Sequence, residues 1–328
     1  MTSKSRWIVL LAMVWGALIV PSFGATSPPA GEKAKKVLVL GIDGCRPDAL
    51  RKANAPNLKS LAEAGAYTYT AQNLPLRLVD AETSSGPGWA SMLSGAFPDK
   101  HGWIDDVRRK HFNGRFPHFF ARLKAHDKDL STVSIITWPD IRPITTGADV
   151  NEVAQGDQAA ADRAVELLTK TNPDVMFVHL DDVDGAGHGN GFSPDVPAYI
   201  KAIEETDRRV GQIVAAVRGR STHAREDWLI LVSSDHGGWG SGHASHSNVV
   251  PEIRKVFYIA NGESAEPGEI KGQVYIVDVA ATALAHMGVK IDPAWKLDGV
   301  PAGLKGYPPP SVSRPNEPAA TVLIRRRK

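Results

Sequence analysis

The sequence contains one cysteine, Cys45, among its 328 residues. A single thiol cannot form a disulfide within the chain, and it cannot supply the cysteine cluster that many structural zinc sites require. The stability of the folded protein therefore has to come mainly from an apolar core, for which the 42% hydrophobic content is sufficient.

The chain also lacks a large excess of charge of one sign. The 38 Lys and Arg residues nearly balance the 36 Asp and Glu residues, and two of the basic ones, Lys4 and Arg6, lie at the N-terminus. No basic stripe is present that would predict a nucleic-acid-binding surface. We therefore expect no nucleic-acid platform on this protein.

Long apolar runs are confined to the N-terminus. Residues 7–20 follow two basic residues and precede small residues around Gly24 and Ala25, which is the pattern of a secretory signal peptide. The run is shorter than the about 20 apolar residues that span a bilayer, which favours a cleaved signal over an uncleaved anchor. We predict a signal peptide over 1–24, cleaved near Gly24/Ala25, and a periplasmic or secreted protein without a membrane span.

Short β-branched runs alternate with segments of helical periodicity along the rest of the chain. They predict strands at 36–43, 131–138, 174–184, 227–235 and 255–262, and helices at 55–66, 157–171 and 196–218, with 274–288 as a strand or loop leading into a helix. This alternation predicts an α/β fold, a three-layer sandwich with a mostly parallel sheet flanked by helices. We predict a linker over 25–35, one domain over 36–305 and an irregular tail over 306–328.

Acidic residues follow three of the predicted strands. Asp43, Asp184 and Asp235 lie at or just beyond these strand ends, with His188 four residues after Asp184 and His236 next to Asp235. One such acid is commonly a helix N-cap. Ligand sites of open α/β sheets, however, form at the carboxyl ends of the strands. Two sets of carboxylate and imidazole suit divalent metals such as Zn²⁺, and two sets suggest two metals.

A hydroxyl group is available for such a site to activate. Residues 83–85 read Thr-Ser-Ser, ahead of a Gly-Pro-Gly turn and a helix that we predict from Trp89. A hydroxyl at a helix N-terminus is usually a cap, but the same position favours anions. A serine becomes a nucleophile at neutral pH only when a base or metal lowers its pKa.

Six segments in this order resemble a known group of enzymes. They are GIDGCRPDAL, APNLKSLAEAGA, SGPGWASMLSGAFPDKHG, DDVDGAGHGNG, SDHGG and VDVAATALAHMG with the later LDG. From about residue 36 to 304 the chain resembles the alkaline phosphatase superfamily, and within it the type I phosphodiesterase/nucleotide pyrophosphatase branch.

The resemblance implies a hydrolase of phosphoric esters with two zinc ions. Its expected substrates are small molecules, namely phosphodiesters or nucleotide pyrophosphates, and Ser85 is the expected nucleophile, forming a covalent phospho-serine. Asp43, Asp235, His236 and Ser85 resemble the ligands of one metal. Asp184 and His188 resemble ligands of the other metal, completed by a later histidine.

That later histidine is His243 or His246. Relatives with a compact loop place it at the spacing of His243, eight residues after Asp235. Others place it before a Pro-Glu pair and a strand, as His246 lies before Pro251 and Glu252. We favour His246, which would leave His243 as a loop residue or an outer hydrogen-bond donor.

Several positions depart from the pattern or add to it. Gly88 stands where better-studied relatives have an Asn that helps hold the phosphoryl oxygen, so that role is vacant or filled by a backbone N–H. Arg46 is close enough in sequence to Asp43 to face the site, and His101 is expected in a structural or supporting role. Trp89 and Trp239 are candidates for stacking on a substrate ring, with packing of the core or pocket wall as the alternative.

Two other functions stay open at this point. A phosphomonoesterase or a phosphoryl transferase would use the same residues. A non-catalytic, metal-stabilised binding protein would keep the metals but not depend on Ser85.

Overall fold

The computed structural model describes residues 32–76, 78, 81–106, 114–243 and 250–311. The predicted signal peptide, most of the 25–35 linker, His246 and most of the 306–328 tail lie outside the described residues. Their expected roles, and the domain limits that depend on them, stay predictions. None of the helices in the described part of the chain is both long enough and apolar enough to span a bilayer.

An eight-stranded sheet forms the middle layer. The strands are β1 (Ala34–Ile42), β2 (Ala66–Gln72), β3 (Thr132–Ile136), β4 (Val150–Val153), β5 (Val175–Leu180), β6 (Glu226–Ser233), β7 (Lys255–Asn261) and β8 (Gly268–Glu269). Their order is β4-β3-β5-β1-β6-β7-β2-β8. β1 pairs in parallel with β5 and β6, whereas β7 is antiparallel to β6 and β2. The predicted mostly parallel sheet is confirmed.

Helices cover both faces of this sheet. They are α1 (Pro47–Lys52), α2 (Pro56–Glu63), α3 (Ser85–Ser94), α4 (Pro98–His101), α5 (Phe119–His126), α6 (Asp157–Lys170), α7 (Asp182–Asn190), α8 (Pro197–Arg218), α9 (Pro251–Arg254) and α10 (Asp278–His286). Side chains of α2, α6 and α8 share one buried cluster, and those of α3, α5 and α10 share another. The predicted three-layer sandwich is therefore confirmed.

The central strand β1 shows why the sheet needs both helical layers. Leu38 and Leu40 belong to the first core cluster, while Val37 and Val39 belong to the second. Successive side chains of a strand point to opposite faces, so a strand that is apolar at every position has to be buried on both sides. The parallel neighbours β5 and β6 end at the same edge as β1, and this edge carries the residues that follow the three strands.

Two segments are helical where we predict another structure. α3 begins at Ser85, four residues before the predicted start, and places Pro87 in its first turn, where the missing N–H is not needed. α7 begins at Asp182, inside the predicted strand 174–184, although three of its nine residues are glycine. A Cβ on Gly187 would lie 2.2 Å from the Phe192 ring, so close packing favours this helix despite its low intrinsic propensity.

Candidate metal centre

The loop after β1 places the first carboxylate. Asp43 is 1% exposed, and its backbone N–H donates to the Leu180 carbonyl at 2.9 Å, which ties the end of β1 to the end of β5. The next residue, Gly44, has φ +63, and a Cβ there would lie 2.5 Å from Asp184 Oδ1. Glycine at this turn therefore lets a second carboxylate approach the first.

Asp235 and His236 follow β6 and complete a first cluster with Asp43. His236 Nδ1 donates to the Gly237 carbonyl at 2.7 Å, so its Nε2 carries a lone pair. That nitrogen lies 3.3 Å from Asp43 Oδ1 and 3.3 Å from Asp235 Oδ2. Asp235 Oδ2 is buried and accepts no hydrogen bond from the residues that the structure describes. Three acceptors thus converge on one point, an arrangement that suits a cation.

Ser85 lies against this first cluster. As the first residue of α3 it is 8% exposed, and its Oγ donates to His236 Nε2 at 3.0 Å and lies 3.4 Å from Asp43 Oδ1. The hydroxyl therefore lies beside the point on which the ligand atoms of the first cluster converge. It is also at a helix N-terminus, a position that favours anions.

A second cluster consists of Asp184, His188 and His243. Asp184 and His188 are four residues apart on α7 and therefore share one face of the helix. His188 Nδ1 donates to the Ser241 carbonyl at 2.9 Å, so Nε2 is the nitrogen that faces Asp184 Oδ2, at 3.3 Å. His243 Nε2 lies 2.9 Å from His188 Nε2 and 3.6 Å from Asp184 Oδ1.

His243 also joins the two clusters. Its ring stacks on that of His236, with centroids 3.8 Å apart and an interplanar angle of 21°, and its residue is 6% exposed. The structure therefore places His243 inside the candidate centre. The expected ligand role of His246 stays a prediction, because that residue lies outside the described ranges.

The electrostatics of the two clusters favour cations. Burial, together with the nearby Asp43 and Asp184, raises the pKa of Asp235 well above its ordinary value. Burial alone would also raise the pKa of Asp43, but hydrogen bonds from His179 and Trp89 and the charge of His236 hold it well below its usual range. The hydrogen bond to Asp184 raises the pKa of His188 to about 9 against the effect of burial. A set of buried carboxylates that cannot all ionise freely becomes stable when divalent cations supply positive charge.

The side chains present fit two such cations. Each cluster offers carboxylate oxygens and imidazole nitrogens within 4.8 Å of one another, which are ligand types that zinc accepts. In each cluster one buried carboxylate oxygen, Asp235 Oδ2 or Asp184 Oδ1, has no hydrogen-bond donor among the described residues. Backbone carbonyls fix the tautomers of His236 and His188 so that Nε2 is free to bind.

Gly88 does not supply the hydrogen-bond donor that an asparagine would offer to a phosphoryl oxygen at this position. A Cβ at this position would lie 2.9 Å from Asp235 Cβ, and its own N–H donates to the Ser84 carbonyl inside α3. The neighbouring Gly86 N–H faces outward instead and donates to Asp106 Oδ1 at 2.9 Å. A backbone donor is therefore present beside the hydroxyl, but at Gly86.

Asp106 is a residue that sequence reasoning missed. It lies in no strand, and no histidine or glycine motif accompanies it; only the adjacent pair Asp105-Asp106 marks the position. Burial raises the pKa of its carboxyl, although the Gly86 N–H opposes this. The structure thus adds a carboxylate directly beside the helix N-terminus that holds Ser85.

Arg46 and His101 both support the local fold. The Arg46 guanidinium pairs with Asp48 and donates to the carbonyls of Phe192, at 2.8 Å, and Gly238, at 3.1 Å, so it connects the chain after α7 to the turn after His236. His101 is buried, with its Nε2 3.0 Å from Ser91 Oγ.

The two candidate tryptophans have opposite surroundings. Trp89 is 0% exposed, and its Nε1 donates to Asp43 Oδ2 at 2.9 Å, so its ring lies in the core rather than at a surface that a substrate can reach. Trp239 is 64% exposed and lies in the loop between His236 and His243. Of the two, Trp239 is the ring available for stacking.

Comparisons with known proteins agree with this geometry. A family model described as type I phosphodiesterase / nucleotide pyrophosphatase matches residues 37–119 and 110–246, which include both clusters and Ser85. The chain is 25% identical over 260 residues to an uncharacterized pyrophosphatase/phosphodiesterase of Schizosaccharomyces pombe, covering 70% of this chain and 51% of that protein. It is 22% identical over 253 residues to a bis(5'-adenosyl)-triphosphatase of Mus musculus, covering 70% of this chain and 52% of that protein.

The chain thus spans about half the length of these two relatives. Among solved structures, an inactive form of the murine ectonucleotide pyrophosphatase / phosphodiesterase 5 in complex with AMP superimposes with a TM-score of 0.61. The match covers 80% of this chain and 99% of that chain at 14% sequence identity. At this identity the likeness shows the shared fold.

Proposed function

The chain belongs to the type I phosphodiesterase/nucleotide pyrophosphatase family within the alkaline phosphatase superfamily, and on this premise we propose that it hydrolyses phosphodiesters or nucleotide pyrophosphates at a two-metal site. One observation supports this proposal above all. The Ser85 hydroxyl lies 3.0 Å from His236 Nε2, beside a point where Asp43 and Asp235 oxygens also converge.

The two clusters are the proposed ligand sets. Asp43, Asp235 and His236 would hold one divalent cation next to Ser85, and Asp184, His188 and His243 would hold the other. We choose His243 over His246 because His243 lies within the second cluster and stacks on the first. When bound, divalent cations of this kind, for which we propose zinc, supply positive charge that lowers the pKa of a hydroxyl and neutralises phosphoryl oxygens.

The proposed reaction has two displacement steps. The Ser85 hydroxyl loses its proton to solvent, and its Oγ forms a bond to phosphorus while the bond from phosphorus to the leaving-group oxygen breaks. The leaving group departs with a proton from water. A water molecule then forms a bond to phosphorus and releases a proton, the Oγ–phosphorus bond breaks, and Oγ regains a proton.

This chain's residues have separate parts in that sequence. Ser85 is the nucleophile, and the Gly86 N–H is the backbone donor nearest to it at the start of α3. A phosphoryl oxygen that reaches this donor would have to replace the Asp106 carboxylate. Stabilisation of the developing charge by such preorganised donors is commonly the largest contribution to catalysis.

The substrate class is inferred from charge and from the relatives. Asp106 places a negative charge beside Ser85, and this disfavours a monoester dianion more than a diester monoanion. The relative described as a bis(5'-adenosyl)-triphosphatase and the structural neighbour in complex with AMP support a nucleotide substrate. Trp239, exposed in the loop between His236 and His243, would be the ring to stack on a base.

A substrate panel with one variant tests the proposal. We expect the zinc-loaded protein to hydrolyse a bis-aryl phosphate faster than an aryl phosphate, and Ser85→Ala to lose turnover while it retains most of its metal. A preference for the aryl phosphate would support the monoesterase instead. Unchanged turnover in Ser85→Ala would exclude Ser85 as the nucleophile, and metal binding without turnover of any ester would support the binding protein.

A further inference from the structure

The two oxygens of Asp43 have different partners. Oδ1 faces the cation position, 3.3 Å from His236 Nε2 and 3.4 Å from Ser85 Oγ. Oδ2 accepts two hydrogen bonds from the other side, from Trp89 Nε1 at 2.9 Å and from His179 Nε2 at 3.1 Å. His179 and Trp89 are both 0% exposed, so water does not compete for these bonds.

The tautomer of His179 is fixed by Thr137. The backbone N–H of Thr137 points at His179 Nδ1 at 3.4 Å, and the Thr137 hydroxyl lies 2.9 Å from the same nitrogen. A backbone N–H donates and a carboxylate oxygen accepts, so the Thr137 and Asp43 contacts are both satisfied when Nδ1 accepts and Nε2, 3.1 Å from Asp43 Oδ2, carries the proton. His179 is therefore a donor to Asp43 Oδ2.

This tautomer is the opposite of the one in the two clusters. His236 and His188 donate from Nδ1 to a backbone carbonyl, so that Nε2 is the nitrogen facing a candidate cation position. His179 accepts at Nδ1 and donates from Nε2. The chain thus uses one hydrogen-bond pattern for two of the imidazoles that face the candidate cation positions and the reverse pattern for the imidazole behind them.

Proximity alone would permit a different use of His179. His179 Nε2 and oxygens of Asp43 and Asp181 lie within 4.8 Å of one another, which would suit a third cation. Binding there would need an unprotonated Nε2, and the Thr137 N–H opposes that tautomer. The hydrogen bonds therefore favour a donor over a ligand.

We propose that Trp89 and His179, the latter oriented by Thr137, hold Asp43 so that it binds metal through Oδ1 alone, and that their hydrogen bonds close Oδ2 to a further cation. This proposal depends on the proposed two-metal function. Trp89 and His179 are positioning residues, because their side chains act through Asp43.

Packing around the two donors keeps them in place. The Trp89 indole and the His179 ring meet edge to face, with centroids 4.7 Å apart. A Cβ on Gly41 would lie 2.4 Å from the indole, so β1 has a glycine where this ring passes. The donors are therefore built into the core before any cation binds, as expected for groups that orient a ligand.

Metal affinity separates a positioning role from a general structural one. We expect Trp89→Phe and His179→Leu to weaken zinc binding at the first cluster about 10-fold to 100-fold, because lost outer hydrogen bonds to a ligand typically have effects of this size. His179→Gln should recover most of the affinity, since its amide can also donate to Oδ2. Chelator competition on the full chain, with elemental analysis for stoichiometry, measures both.

Control variants and a metal-free readout keep the result interpretable. His118→Gln removes a buried histidine outside both clusters and should leave zinc affinity unchanged. Long-range proton–nitrogen NMR of the metal-free protein should show an Nε2-protonated His179 and an Nδ1-protonated His236. That measurement does not depend on whether a variant folds.

Three results would overturn the proposal: an Nδ1-protonated His179, a third zinc ion that His179→Leu removes selectively, or equal zinc affinity in Trp89→Phe, His179→Leu and the wild type. In each of these the two-metal function itself can still hold. If the wild type binds no divalent metal at all, the proposed function fails instead.

Discussion

The two clusters of the candidate centre differ in rigidity and exposure. Asp43, Asp235 and His236 are at most 1% exposed and follow directly from adjacent parallel strands. In the second cluster the side chain of His188 is 46% exposed, and it lies on a helix rich in glycine. The first cluster is therefore preorganised by the sheet, whereas the second is open to solvent at His188 and is held by a helix and a loop.

Within the proposed function, this difference would give the clusters different tasks. A buried, fixed ligand set next to Ser85 suits activation of a nucleophile, because preorganised charge is most effective where water is excluded. An exposed set suits the entry of water and the release of products. The predictions that follow test this contrast, beginning with the largest expected effect.

Removal of one imidazole from each cluster should give the largest difference between the clusters, measured as turnover and its recovery with zinc. We expect His236→Ala to lower turnover about 10³-fold or more, since groups that act as one unit fail together when one is removed. Excess zinc should not restore turnover, because no other side chain or solvent molecule can replace the imidazole in this buried cluster. His188→Ala should also lose activity, but millimolar zinc should restore part of it through solvent access. Equal recovery in the two variants would contradict the contrast.

A methyl group at Gly44 should displace the second cluster from its position beside the first. Its φ of +63 and the 2.5 Å approach to Asp184 Oδ1 predict that Gly44→Ala costs about 1–3 kcal/mol of stability and displaces the second cluster. Gly185→Ala is the matched control, because a Cβ there meets nothing within 4 Å on α7. We expect that control to be neutral or stabilising by up to about 1 kcal/mol. Denaturant unfolding, with zinc content measured alongside, distinguishes the two.

Asp106 tests the charge beside the first cluster. Asp106→Asn should raise the rate on an aryl phosphate relative to a bis-aryl phosphate by about 3-fold to 10-fold, corresponding to roughly 1 kcal/mol for one partly screened charge. The amide keeps the size of the side chain, so a change in both rates by the same factor would show that Asp106 affects folding or access and not substrate charge.

The smallest expected effect is a pH dependence of the metal-free protein. Because Asp184 raises the pKa of His188 from 6.5 to about 9, this histidine stabilises the fold below pH 6.5 and loses that contribution as pH rises through about 9. Since the side chain is half-exposed, we expect less than about 1 kcal/mol. Asp235, whose pKa burial raises, contributes to the same decline. The difference between wild type and His188→Gln is therefore the quantity to measure; parallel curves would contradict the assignment.

Sequence patterns predict the first cluster better than the second, for physical reasons. Runs of β-branched residues locate β1, β5 and β6 to within a few residues of their observed ends, and parallel neighbours end at one edge. Asp43 and Asp235 are thus placed by local sequence. Asp106 has no such signal, because its position depends on how the segment after α4 folds back onto α3.

The second cluster depends on tertiary packing. Gly185, Gly187 and Gly189 indicate a turn by propensity, yet the close contact of Gly187 with Phe192 favours a helix. His243 stacks on His236, whereas spacing along the chain left His243 and His246 as alternatives and favoured His246. The antiparallel direction of β7 was likewise not specified by its apolar run, which is compatible with either direction.

The most direct test of the central claim is a zinc-edge anomalous scattering map of the crystalline wild-type protein grown with zinc. We predict two peaks, one about 2 Å from Asp43 Oδ1, Asp235 and His236 Nε2 and within reach of Ser85 Oγ, the other between Asp184, His188 and His243. Absence of a peak beside Ser85, or zinc bound at His179 instead, would contradict the account.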